Sequence, residues 1–296
     1  MTIKEFTEKC RAIQGRFRES MGEPMGVGPL KTSERRHVNM LVDGELTGKN
    51  FVDEFTFNYA KKRVAEKKKN ETIDEYRLFN NLLSSQPMAF NLFCPFIQML
   101  QEGKGQTVTK IFQSVFPDMS IQEVTEVDLE YLHTDVENYL NDRTAMDAIV
   151  RYIDTEGKHS FISVETKYTD SLGSNTGSKA LYAKWISEIG MFKPETEMAL
   201  LSGTKLISQI YRNFLLAECY RIKEGANKSF SVLLSPAQHP LTKNEAASLR
   251  NELKPEYQYK IVNVSLEEFI EKTLEVCSEK NKRPFVYFRN RYCVEY

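Results

Sequence analysis

Residues 146–168 read MDAIVRYIDTEGKHSFISVETKY, two apolar runs on either side of a polar turn, Thr155-Glu156-Gly157-Lys158. Runs of this length and composition around turn residues predict a β-hairpin. Side chains alternate faces along a strand. In the second run Phe161, Ser163, Glu165 and Lys167 therefore share one face, and Ile162, Val164, Thr166 and Tyr168 the other. Glu165 and Lys167 stand roughly 6.6 Å apart along the strand. In the first run Asp147 shares its face with Ile149 and Arg151, while Ala148, Val150 and Tyr152 face the other way. If partner numbers sum to 312, the loop runs from Asp154 to Lys158 and Asp147 lies opposite Glu165. Their Cβ atoms would then be about 4.5–5.5 Å apart. A register one residue shorter would put Asp147 on the wrong face.

Two carboxylates beside a lysine have a definite chemical use. The oxygens of Asp147 and Glu165, with the backbone carbonyl of Thr166, suit a hard divalent cation, Mg²⁺ or Mn²⁺. Such an ion keeps waters and lowers the pKa of one, which can then attack a phosphodiester. Lys167 would steer or deprotonate that water, or neutralise charge on the phosphate. The alternative is an exposed same-face ion pair of Glu165 and Lys167, worth less than about 1 kcal/mol.

Working outward, residues 1–20 predict a helix with Phe6, Cys10, Ile13 and Phe17 on one stripe. A glycine- and proline-rich loop, MGEPMGVGPL, covers 21–30. From Asn50 to about Leu100 the pattern is mostly helical. It includes the basic run from Lys61 to Lys69, a stretch from Ile73 to Leu83, and SSQPMAFNLF, where Ser84 or Ser85 caps a first turn containing Pro87. A further helix is expected over Thr107–Phe116, and β structure from Ile121. After the hairpin come a polar loop at 171–178, helices over Lys179–Met191 and about Gly203–Glu224, and a buried strand, Phe230–Ser235. The last sixty residues read as helix, strand and helix, and the tail RPFVYFRNRYCVEY as a final core strand with exposed arginines, the alternative being aromatics and arginines that stack on nucleic-acid bases. This order defines an α/β protein with a mixed central sheet and an N-terminal helical elaboration. One domain over 1–296 is expected, with a mainly helical region at 1–118, a core at 119–240 and an α/β extension at 241–296.

Composition narrows the class. The chain has 296 residues, is 41% hydrophobic and 27% charged, and carries a net charge of −1, which suits a globular protein with a sizeable core. It has no apolar run of membrane-spanning length and no apolar leader near its first residues, so no membrane association is expected. Five scattered cysteines without a CxxC pair argue for reduced thiols and a cytoplasmic setting. Four scattered histidines make a histidine metal site improbable. There is no P-loop, GxSxG elbow or HExxH. A strongly basic surface is missing, yet the charges are uneven. Acidic residues gather at 122–142 (Glu123, Glu126, Asp128, Glu130, Asp135, Glu137, Asp142) and basic ones at 61–69 and 282–291. That pattern allows a local phosphate-binding surface without tight non-specific binding.

The arrangement of Asp147, then Glu165-Thr166-Lys167 on the next strand, followed by helix and strand, resembles the PD-(D/E)XK nuclease superfamily. Met146 stands where the literal motif has proline. The stretches NLLSSQPMAFNLF (81–93), RTAMDAIVRYID, SFISVETKYTDSLG and SQIYRNFLLAE (208–218) narrow the likeness to bacterial proteins described as candidate restriction endonucleases. The resemblance covers roughly residues 50–240. It implies a restriction-endonuclease-like αβββαβ core, metal ligands at Asp147 and Glu165, and a catalytic lysine at Lys167. It also implies an Mg²⁺-dependent endonuclease, with DNA as the expected substrate, a restriction or defence role, and a homodimer where both strands are cut. The competing reading is a nucleic-acid-binding or structural protein with this fold and no cleavage. In relatives, a Gln and a basic residue on the helix after the third strand approach the site, which makes Gln209 and Arg212 candidates, with Asn213 on the face of Gln209; a solvated helix face is the alternative. Gln86 is the corresponding candidate from the first core helix, with a cap and turn as its alternative. Tyr168 is read as core, and the Lys61–Lys69 run either as a phosphate contact or as a solvated face.

Overall fold

The two runs around residue 156 pair as antiparallel strands with Ala148 opposite Val164 and Ile153 opposite His159, the register whose partner numbers sum to 312. A computed structural model describes residues 1–67, 73–133, 136–141, 144–171, 173 and 179–294. Lys68 and Lys69, Asp135 and Asp142, and most of the 171–178 loop lie outside the described residues.

In chain order the N-terminal half contains α1 (Ile3–Ser20), β1 (Gly26–Val27), β2 (Arg36–His37), α2 (Gly44–Thr47), α3 (Glu54–Ala65), α4 (Glu75–Asn80), α5 (Ser85–Gln101) and α6 (Gly105–Val115). The sheet strands β3 (Ile121–Tyr131), β4 (Met146–Asp154) and β5 (His159–Thr166) follow. Then come α7 (Lys179–Ile189), α8 (Pro194–Ser202), α9 (Gln209–Glu224), β6 (Ser229–Ser235), α10 (Thr242–Glu252), β7 (Ile261–Ser265), α11 (Leu266–Val276) and α12 (Arg283–Tyr292). The central sheet has the order β3-β4-β5-β6-β7, antiparallel as far as β5 and parallel beyond it. It is thus the mixed sheet of a restriction-endonuclease-like α/β fold. Among the described residues no helix is long and apolar enough to cross a membrane.

The period-two pattern of the strands sorts the helices into two layers. Ala148, Val150, Tyr152, Ile162 and Val164 pack into one core with α1, α3, α4, α5, α6, α11 and α12. Ile149 and Phe161 face the other core, built with α7, α8, α9 and α10. Elements before β3 and after β7 therefore cover one face, and those between β5 and β7 cover the other.

Several expectations need correction. The tail is a helix, not a strand: Pro284 sits in its first turn, and Phe285, Phe288 and Tyr292 fall at helical spacing and are buried. Its Arg291 is not exposed but 1% accessible. The Arg291 guanidinium donates to Gln14 Oε1 (3.1 Å), Asn50 O (2.8 Å) and Asn50 Oδ1 (2.6 Å). Gln14 in turn donates to the Tyr168 hydroxyl (2.9 Å). This network explains why α1 buries Gln14 alongside Phe6 and Cys10, while Ile13 and Phe17 are only partly covered; Arg18 is buried on separate bonds, donating to the carbonyls of Val38 (2.9 Å) and Glu23. It also fixes Tyr168 as core. The helix expected from Gly203 starts at Gln209, and α8, opened by Pro194, was not anticipated.

Asp154 holds the hairpin turn. Its fully buried carboxylate accepts from the backbone N–H of Glu156 (2.9 Å) and Lys158 (3.0 Å), from the Ser160 hydroxyl (3.0 Å) and from the Asn227 amide (2.7 Å). Burial works to raise its pKa, but these donors, Asn227 foremost, outweigh burial and hold it at about 2. Its folded pKa lies below the unfolded value of about 3.9. The resulting stability is present above that value and is lost as pH falls toward about 2. Asp154→Ala is expected to cost about 1–3 kcal/mol in urea unfolding at neutral pH. It should also flatten the pH dependence of stability in the acid range. A variant as stable as the parent would show that the turn is held by something else.

Candidate active site

Asp147 enters at the start of β4, and Glu165, Thr166 and Lys167 leave at the end of β5. The paired ladder ends at Ala148–Val164, and its continuation sets Asp147 across from Glu165. Here the two strands are linked by side-chain bonds. The Thr166 backbone N–H (2.7 Å) and hydroxyl (2.8 Å) both donate to Asp147 Oδ2. Asp147 Oδ1 accepts no hydrogen bond among the described residues and is left to the cleft.

Glu165 is 5% exposed and held from three sides. Lys167 Nζ (2.7 Å) and Gln209 Nε2 (2.7 Å) meet its Oε1, and Asn213 Nδ2 donates to its Oε2. Lys167 Nζ also donates to Gln209 Oε1 (2.9 Å), which closes a Glu165–Lys167–Gln209 triangle. Gln209 opens α9, and Asn213 stands one turn later, so the i, i+4 spacing brings both amides to one carboxylate. Gln86 reaches the site from the other helical layer. Ser84 caps α5 and accepts from the Gln86 N–H (3.3 Å), while the Gln86 side chain donates to Glu130 Oε1 (2.9 Å). Gln86 thus lies in the capped first turn of α5 and also reaches Glu130 in the cleft.

Most of these groups, Thr166 and Asn213 excepted, line one cleft of about 320 Å³. Asp147, Glu165, Lys167, Gln209 and Gln86 all contribute to it, as do Glu130, Asp74, Arg77, Asp170, Ser84 and Ser85. Arg212 does not line the cleft; its Nε is buried with no hydrogen-bond partner among the described residues. The Lys61–Lys69 run makes no part of the cleft among the described residues: Arg63 instead donates to the carbonyls of Leu129 (3.3 Å) and Glu130 (3.1 Å).

The sequence pointed to Glu130 only as one of a group of acidic residues. On β3 the register shifts between Ile121 and Glu123 and between Val124 and Glu126, so alternation cannot be read along it. Glu130 adopts φ 50°, a left-handed conformation uncommon outside glycine. That turn carries its buried side chain to the cleft. Arg77 and Asp170 gave no sequence signal, since one lies on a short helix and the other in a loop.

The electrostatics follow from crowding. Burial first, then the charges of Glu165 and Glu130, push the Asp147 pKa well above the usual carboxylate value; Lys167 and the Thr166 N–H offset only part of this. For Lys167 burial favours the neutral amine, but Glu165 and Asp147 outweigh it and hold the ammonium above the ordinary lysine value. Among the described residues no three His, Cys, Asp or Glu side chains stand together as a metal-binding group. Asp147 and Glu165 are the two carboxylates at this end of the hairpin: one Asp147 oxygen accepts from Thr166 and the other has no hydrogen bond among the described residues, while both oxygens of Glu165 are engaged by Lys167, Gln209 and Asn213. That fits Mg²⁺, which takes one or two carboxylates and keeps several waters.

An Asp on one strand faces a Glu-Thr-Lys end on its antiparallel neighbour, in a mixed α/β sheet, the arrangement that the sequence likeness to PD-(D/E)XK nucleases implies. The profile of the PD-(D/E)XK nuclease superfamily matches residues 3–294, and the chain belongs to that superfamily. No curated protein and no solved structure gives a significant match.

A raised acid pKa means that the folded, metal-free protein loses stability as pH rises through the range above the unfolded value of about 3.9. The neutral isostere in Asp147→Asn keeps an oxygen to accept from Thr166 and removes the repulsion. Its thermal midpoint in chelator at neutral pH is expected to exceed that of the parent by about 2–4 °C for each kcal/mol relieved. A lower midpoint would contradict the electrostatic account.

Proposed function

We propose that this protein is a metal-dependent endonuclease that hydrolyses phosphodiester bonds of DNA, in a restriction or defence role. The observation that carries this reading is the convergence of Asp147, Glu165 and Lys167 on the floor of one cleft. Asp147 and Glu165 would hold Mg²⁺ or Mn²⁺, with the Thr166 carbonyl as a further ligand. When bound, such an ion supplies Lewis-acid activation of water and of the phosphoryl oxygen. Lys167 brings a positive charge to the point where charge builds on the phosphate. Gln209 orients both Lys167 and Glu165, so it acts as a positioning residue, and Gln86 plays the same part for Glu130. Asn213 fixes the second oxygen of Glu165.

The restriction setting is supported by the likeness of the sequence motifs alone. A homodimer is the arrangement in which one such site per chain would cut both strands. The whole chain is taken as one domain, because Gln14 and Arg291, from its first and last helices, meet behind Tyr168.

The test is cleavage of plasmid and single-stranded DNA by the pure chain with Mg²⁺, Mn²⁺ or chelator. Cleavage is expected with either ion and not with chelator. Asp147→Ala, Glu165→Ala and Lys167→Ala should each reduce it on the order of 10²–10³-fold or more, the usual scale for removing one preorganised charge from an active site. Unchanged cleavage in all three variants would remove the site assignment. Binding of DNA without cleavage of any nucleic acid by the parent would favour a binding protein of the same fold.

A further inference from the structure

Among the described residues the cleft is lined by five carboxylates and two cations. A polyanion entering it meets repulsion unless cations are available to it. Lys167 is committed to the floor: it is 5% exposed and engaged by Glu165 and Gln209. Arg77 is different. Its side chain is 43% exposed, and among the described residues the one side-chain partner of its guanidinium is Asp170, at 3.3 Å. A guanidinium has five N–H donors in a fork that matches phosphate oxygens. A long, half-exposed contact to a single carboxylate oxygen uses little of that capacity.

Both partners of this pair are held in place by the fold. Arg77 lies in the last turn of α4, whose Asn80 side chain accepts from the Gly44 N–H (2.8 Å). Only glycine fits at 44, since a Cβ there would lie 2.1 Å from the Phe79 carbonyl oxygen. Asp170 follows Lys167 by three residues, and its carbonyl is met by His239 Nε2 at 3.3 Å. The N–H groups of Leu241 (3.3 Å) and Thr242 (3.4 Å) point at His239 Nδ1, which makes Nε2 the donor.

We propose that Arg77 is a substrate-holding residue: it takes a backbone phosphate next to the one that is cut, and Asp170 is the carboxylate it exchanges for that phosphate. The inference rests on the nuclease reading above and adds to it a binding residue outside the Asp147–Glu165–Lys167 set. The exchange explains why a cleft meant for a polyanion carries Asp170 at its rim. The carboxylate keeps the guanidinium oriented toward the cleft, at the cost of competing with the substrate.

The two members of the pair should then act in opposite directions. In full-length Lys167→Ala protein, binding of a short fluorescent DNA duplex in a divalent-cation buffer is measured over a salt series. Adding Arg77→Ala should weaken binding by about tenfold and reduce the slope of log affinity against log salt by about 1. Arg77→Lys should recover only part of the affinity, because a lysine cannot make the forked contact. Asp170→Asn should bind at least as tightly as its parent. In the cutting protein, Arg77→Ala should raise KM far more than it lowers kcat. An unchanged salt slope in Arg77→Ala, or weaker binding in Asp170→Asn, would overturn the proposal; a merely structural ion pair predicts equal losses from both and a lower thermal midpoint in each. If the unmutated chain cuts DNA while Arg77→Ala binds like its parent, only the role of Arg77 fails. If the unmutated chain neither binds nor cuts, the nuclease reading fails and takes this one with it.

Discussion

The register of the β4–β5 hairpin is the constraint on which the site depends. Side chains alternate along a strand, so a slip of one residue would exchange the two faces of β4. Asp147 would then face the core occupied by Ala148, Val150 and Tyr152. The register is fixed at both ends. At the turn, Asp154 gathers donors from the loop, from β5 and from Asn227 ahead of β6. At the open end, Thr166 ties its N–H and hydroxyl to Asp147. Between them, apolar residues of opposite parity are claimed by two different cores, and neither core can accept the other set.

Charge is the second organising feature. The chain is nearly neutral as a whole, but the cleft is not, because carboxylates outnumber cations there. Burial and the charges of Glu165 and Glu130 raise the pKa of Asp147. The arrangement is costly to the metal-free fold and useful to a site that needs a cation. The polar frame around it limits the damage. Both oxygens of Glu165 accept from donors, Lys167, Gln209 and Asn213, so its burial carries no unmet hydrogen-bonding demand.

Much of this was legible in the residues themselves. The hairpin and the two faces of each run follow from alternation and turn composition, whereas its register stood in the sequence only as the condition that partner numbers sum to 312, which the structure meets; the Ser-Ser-Gln-Pro sequence placed a cap at Ser84 or Ser85, and it is Ser84. The failures have identifiable causes. The tail mixes aromatic and β-branched residues that suit either a strand or a helix, and only packing against α5 and α11 decides between them. The face of α1 was misjudged because Gln14 and Arg18 look like surface residues, yet Gln14 is needed inside to serve Arg291 and Tyr168. Glu130 was hidden by the irregular register of β3 and its left-handed backbone, which no spacing rule anticipates.

The sequence by itself determined the strand pair that carries Asp147, Glu165 and Lys167, because short-range alternation and a tight turn settle which side chains share a face. It also determined that Gln209 and Asn213 lie one turn apart on a helix. What only the tertiary structure decided is that this helix lies beside Glu165, that Gln86 and Glu130 arrive from the opposite layer, and that Arg77 meets Asp170 at the rim. Those meetings join residues 44 to 93 positions apart. They are set by how helices pack on the two faces of a twisted sheet, and local pattern holds no information about that.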